Sequence, residues 1–192
     1  MRFKQKELKT VASEFKQKDN NVATRVAGGK LFVNNQLYRP PLVTPTPREV
    51  LTLSQKERDE LCKIELLEGR VVSDNGNVVT ASIAQANSLD AARAAYKRLL
   101  CNPYKMSASS NAAIYRHFNV VGAVTTEYCQ DDNDPGSARF ILQYIREKHP
   151  RLRNVAVFLT WRSMRRISWR QRCTLLQDAV DSVVEIALAR EW

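Results

Sequence analysis

The sequence predicts an α+β domain over residues 78–192, a four-stranded mixed or antiparallel sheet packed with helices, preceded by a small N-terminal helix and hairpin appendage. Three observations carry this. Strand and helix patterns succeed one another as β-α-β-β-α-β-α from Val78 onward. The run Val155-Ala156-Val157-Phe158-Leu159-Thr160 is apolar without alternation, as expected of a central strand covered on both faces. The front third has few apolar residues for its length, which fits an appendage better than a second core.

Taken in order, Phe3, Leu8, Val11 and Phe15 recur at helical spacing among basic and polar residues, predicting a short amphipathic helix over about 1–18. A lone helix of that length is marginal in water, so it frays or docks on a partner. Gly28-Gly29 breaks the pattern, and 30–39 reads as a hairpin turning at Asn34-Asn35, residues that tolerate positive φ. Pro40, Pro41, Pro45 and Pro47 make a semi-rigid extended linker. A connecting helix follows, capped by Ser54 or Thr52 and ending at Gly69, with a turn at Asp74-Asn75-Gly76. The expected division is therefore 1–47 (basic helix, hairpin, Pro-rich linker), 48–77 (connecting helix and turn) and 78–192.

Within the last part, 78–86 alternates as a strand, and Ser88 caps a helix over 89–100 that Asn102-Pro103 stops. Residues 112–118 and 123–128 read as a strand pair joined near Val121-Gly122. The polar loop 131–136 leads into a helix bearing Phe140, Ile141, Tyr144 and Ile145 and ended by His149-Pro150. The last helix spans about 169–189, with Leu175, Leu176, Ala179, Val183, Ile186 and Ala187 inward.

A hydrophobic content of 44% supports a real core and excludes a disordered chain. No apolar run reaches the roughly 20 residues of a membrane helix, and the opening residues lack the apolar stretch of a signal peptide. The expectation is a cytoplasmic or nuclear protein with no membrane partner. Cys62, Cys101, Cys129 and Cys173 form no CxxC pair, so they are expected to be reduced and mostly buried, with no metal or cofactor. The net charge of +10, basic in both halves of the chain, attracts polyanions, chiefly nucleic acid.

Three ordered segments resemble the Impact family N-terminal domain, covering about residues 78–190. The segment 107–116 is similar to that family's Ala-x-His-Asn-x-x-Ala-Tyr-Arg, placing Asn111, Tyr115 and Arg116 on motif positions. Asp131, Asp132 and Gly136 match its acidic loop, Asp-Asp-Gly-Glu followed by small residues and a helix, and 155–162 with Thr160 resembles its Val-x-Val-x-x-Thr-Arg strand. The resemblance implies a fold like ribosomal protein S5 domain 2, a link to translational control, and no established catalysis. The chain departs from the pattern as a diverged copy would. The family His falls at Ser110, the glycine pair after the Thr-Arg strand is replaced by 161–166, and no RWD domain is recognisable in 1–77.

The strongest local signal is 151–172, with seven arginines (Arg151, Arg153, Arg162, Arg165, Arg166, Arg170, Arg172), no acidic residue, and Trp161 and Trp169 interleaved. Guanidinium forks bind phosphate bidentately and indole faces stack on bases, a mixture suited to RNA. Lys105, Arg116 and Lys148 would extend it. A solvated turn with core tryptophans, or an acidic protein partner, are the alternatives. Asp131, Asp132 and Asp134 could hold Mg²⁺, yet the same residues are ordinary turn and cap chemistry. Ser109 or Ser110 beside His117 lacks an evident third group, and there is no Walker loop. The reading is a non-catalytic RNA or polyanion binder, with a translation-associated protein as a further partner. A protein–protein adaptor using 3–15 and 53–67 as partner helices is the alternative.

Overall fold

The computed structural model describes residues 24–27, 30–33 and 36–37 by backbone, and 45–118, 124–132 and 135–192. The chain divides into two compact units, 1–41 and 42–192. In the first, strands β1 (Thr24–Ala27), β2 (Lys30–Val33) and β3 (Gln36–Leu37) form an antiparallel sheet in that order. Val33 pairs with Gln36, so two residues, Asn34 and Asn35, connect β2 to β3 as the hairpin reading expected. Ala27 pairs with Lys30 across Gly28-Gly29, which adds β1, a strand the sequence reading did not anticipate. The expected helix over 1–18 lies outside the described residues.

The second unit is α+β, a six-stranded antiparallel sheet with helices on both faces, where four strands were expected. Its elements are α1 (Pro47–Leu51), α2 (Gln55–Cys62), β4 (Leu67–Glu68), β5 (Val72–Asp74), β6 (Asn77–Gln85), α3 (Leu89–Leu100), α4 (Pro103–Met106), β7 (Ser110–Phe118), β8 (Val124–Asp132), α5 (Ser137–Lys148), β9 (Val155–Arg162) and α6 (Trp169–Ala189). The strand order is β4-β6-β9-β7-β8, with β5 also paired to β6. β4 comes from residues expected to end the connecting helix, which stops at Cys62 and not at Gly69, and β5 from the expected turn, so the boundary expected at 78 is corrected: 48–77 belong to the same unit. Pro47 is likewise a helix residue, not linker. It opens α1, where its missing N–H costs nothing, and Thr46 and Glu49 close a capping box around it.

The two faces of the sheet differ in side-chain size, and that difference sorts the helices. Val79, Ile83, Ile114, Val157 and Leu159 present large groups to α5 and α6, which answer with Ile141, Ile145, Leu176, Val180 and Val183. On the other face Ala84, Ala113 and Ala156 are small, and α3 lays Ala92 and Ala95 close to them. Tyr96 of α3 then stacks on Phe158 at 5.0 Å between ring centroids. Each fully buried Ile, Leu or Val contributes about 1.5–3 kcal/mol, so the two-sided burial of β9 makes it the structural axis.

β6 and β7 run parallel with β9 between them, and β8 and β9 run parallel with β7 between them. Their crossover helices, α3 and α5, lie on opposite faces. Two such crossovers, related by an in-plane half turn, share a hand only when their helices share a face. One of them is therefore of the uncommon left-handed kind.

Candidate nucleic-acid interface

The site is built at the end of the sheet where β9 leaves it. Cross-strand register places Thr80, Thr160, Asn111 and Asp132 in one row over β6, β9, β7 and β8. Three motif positions quoted from separate segments, Asn111, Asp132 and Thr160, thus become neighbours on one face. The short helix α4 covers the start of this row. Lys105 Nζ donates to Thr80 Oγ1 at 2.7 Å and lies 3.6 Å from Glu68, while Asn111 Nδ2 donates to the Lys105 carbonyl at 3.3 Å.

Beyond Thr160, Arg162 Nη2 donates to the Tyr104 carbonyl (2.7 Å) and the Ser107 hydroxyl (2.9 Å), with its guanidinium 3.7 Å from the Tyr104 ring centroid. The turn that follows is pinned from both sides. Ser163 N–H donates to Ser109 Oγ at 2.9 Å, and the N–H groups of Met164 and Arg165 donate to Asn77 Oδ1 at 3.0 and 3.3 Å. The side chains of Met164 (78% exposed), Arg165 and Arg166 project outward from this fixed backbone. A capping box between Ser168 and Gln171 starts α6 and presents Trp169 and Arg170 at the surface. Trp169 is 49% exposed, edge-on to Phe140 at 5.8 Å, beside Gly136.

Several residues expected at the interface lie elsewhere. Lys105 and Arg116 are each only 4% exposed. Arg116 donates to Glu127 (2.9 Å) and to the Leu152 carbonyl (3.4 Å), so its charge is compensated inside the domain. Trp161 is buried in the core, with Arg172 stacked over it at 4.8 Å. Arg151 and Arg153 are exposed but precede β9, whose eight residues carry them roughly 23 Å from Arg162 at about 3.3 Å per residue. Arg153 instead lies over Phe118 at 5.1 Å. One end of the sheet therefore gathers Arg162, Arg165, Arg166, Trp169 and Arg170, with Tyr104 and Met164, both unanticipated, supplying exposed apolar surface. Arg139 is exposed in the first turn of α5.

The acidic segment is cap chemistry. Asp131 and Asp132 close β8 instead of standing in a loop. Asp131 accepts the N–H of Gly136 (3.0 Å) and Ala138 (2.6 Å), filling the N-terminus of α5 with its own anion. Gly136 adopts φ +99, a conformation a side chain would resist. Ser110 and His117 stand near opposite ends of β7, about 23 Å apart, and cannot form a nucleophile–base pair. Tyr115 is buried, which pushes its phenol up to about 12. The four cysteines are free thiols; Cys62 is exposed and the others half-buried, so the expectation of mostly buried groups is corrected. Burial raises the Cys173 thiol, with Arg172 opposing, which leaves it a poor nucleophile.

No family profile matches this chain, and no curated protein matches it. It is similar to a solved structure described as the crystal structure of a hypothetical protein, with a TM-score of 0.51 and 11% identity over 64% of this chain. The chain spans 61% of the length of that structure. The likeness concerns the α+β fold. Among the described residues no helix is long and apolar enough to cross a membrane.

Proposed function

We propose that this chain is a non-catalytic RNA-binding protein of the cytoplasm or nucleus, engaging RNA through the β9–α6 turn and the start of α6. The observation that carries the reading is the pinned turn: Arg165 and Arg166 stand exposed between Met164 and Trp169, on a backbone held by Asn77 and Ser109. A fixed backbone lowers the ordering cost of binding, arginine pairs with phosphate, and an exposed indole stacks on unpaired bases. The link to translational control, and the assignment to a diverged Impact-type, ribosomal S5 domain 2-like domain, rest on the motif resemblance. Support comes from the row that unites Asn111, Asp132 and Thr160.

Fluorescence anisotropy with a labelled single-stranded RNA and a duplex tests the reading. Submicromolar binding to the single strand, lost by at least tenfold in Arg165→Glu/Arg166→Glu with an unchanged circular dichroism spectrum, is the expected result. Equal affinity of that variant and the parent would overturn it.

A protein–protein adaptor is the second reading, favoured by a groove of about 480 Å³ between α2 and α3, lined by Leu53, Leu61, Ile64 and Ala94 under a charged rim. The segment 53–67 would act there as one wall of the groove, since Leu53, Ile64 and Leu66 already pack on the α3 core. Partner capture that survives the arginine substitutions would favour this reading.

A further inference from the structure

Beside the polar row lies a cavity of about 200 Å³, walled by Pro47, Leu100 and Met106 and floored by Tyr96, Asn111 and Asp132. It is smaller than the roughly 300–1,000 Å³ of pockets for drug-sized ligands, so it admits a single ring, not a whole nucleotide. Asn111 is 5% exposed, and its amide is oriented by the Nδ2 bond to the Lys105 carbonyl. That bond leaves Oδ1 buried without a donor, a costly condition for a native acceptor. Asp132 pairs with Asn111 in the β7–β8 register, and its carboxylate only accepts. Cross-strand neighbours stand about 5 Å apart on one face. Asn111 and Asp132 thus bring two acceptors on adjacent strands to the cavity lining, which they share with the Tyr96 phenol, Gln130 and Thr46.

We propose that this cavity receives the exocyclic amine of an unpaired cytosine base, an inference that rests on the RNA reading above. Such an amine carries two hydrogens on one nitrogen, matching two adjacent acceptors. Uracil presents one ring N–H flanked by two carbonyl oxygens, which the Asp132 carboxylate repels. Asn111 pairs with Thr160, two residues before Arg162, so the cavity opens at the same end of the sheet as the arginine turn.

The test is protein-observed NMR of the full chain titrated with cytidine, adenosine, uridine and butylamine at millimolar concentration. Cytidine is expected to shift the Asn111 side-chain amide and the Met106 and Gln130 backbone signals, while uridine, and adenosine with its two-ring base, leave them in place. Asn111→Ser should abolish the shifts, and Asp132→Asn, a change at an exposed site, should weaken them if the first variant folds poorly. In the anisotropy assay oligo-C should bind about tenfold tighter than oligo-U, one good base contact's worth of discrimination. Equal shifts with uridine, shifts with butylamine alone, or no shift would overturn the cavity assignment. Because Arg165→Glu/Arg166→Glu should leave the nucleoside shifts intact, failure here and failure of the RNA reading are separable.

Discussion

Arg116 divides its guanidinium between Glu127 and the carbonyls behind α5, and Arg146 completes the pair from the other side. Burial pushes the Glu127 carboxyl up, but the hydrogen bonds from Arg146 and Arg116 outweigh it and hold the group below its ordinary value of 4.5. A carboxyl depressed in the folded state contributes its full stability above the unfolded value and loses it as pH falls through the folded one. Wild-type stability is therefore expected to decline below about pH 4.5, and Glu127→Gln should flatten that decline in denaturant titrations across pH. At neutral pH the same variant, which leaves Arg116 buried without its anion, should cost about 3 kcal/mol. Gly69 makes a separate steric case. A Cβ there would stand 2.3 Å from Ser182 Oγ and 3.0 Å from the Val183 backbone nitrogen. Gly69→Ala should destabilise by about 1–3 kcal/mol through overpacking, read as a lower urea midpoint with unchanged slope.

Among the elements, α3 and α6 were legible nearly to the residue, because Ser88 announces the start of α3 by cap chemistry and the apolar period announces the inward face of α6; the Ser168 capping box that starts α6 is visible only in the structure. Ser88→Ala should cost about 1 kcal/mol in thermal unfolding, since its hydroxyl accepts the Ala91 N–H at 3.1 Å. The edge strands β4 and β5 were not legible. They are two and three residues long, and only their pairing to β6 makes them strands. The arginine run divides for a geometric reason: a run in sequence threaded through a strand is split by that strand's length, so Arg151 and Arg153 part from Arg165 and Arg166. Burial of Trp161 and exposure of Trp169 follow from β9 being covered on both faces while α6 begins outside the sheet. Trp169→Ala should weaken single-strand binding by about 1–3 kcal/mol, the worth of one stacked base, with little change in unfolding temperature.

At the scale of the molecule, a net charge of +10 supplies a general attraction to polyanions, and recognition at one face needs more than that background. Asn77, at the start of β6, and Ser109, between α4 and β7, fix one turn so that its arginines are presented together. No sequence period signals such a contact, which explains why the exposed arginines and Trp169 could be picked out within 151–172 and the support of their turn could not. The β7–β8–β9 register does the same for Asn111, Asp132 and Thr160. In the proposed RNA complex the pinned turn contacts phosphate directly. The most direct test of this contact is the dependence of single-strand RNA affinity on salt for the parent chain and for Arg165→Glu/Arg166→Glu. Each phosphate contact on a single strand contributes about 0.7 to the slope of log affinity against log salt. Loss of both arginines should therefore reduce the slope by about 1.4, together with the affinity, whereas an unchanged slope would show that these arginines do not contact phosphate.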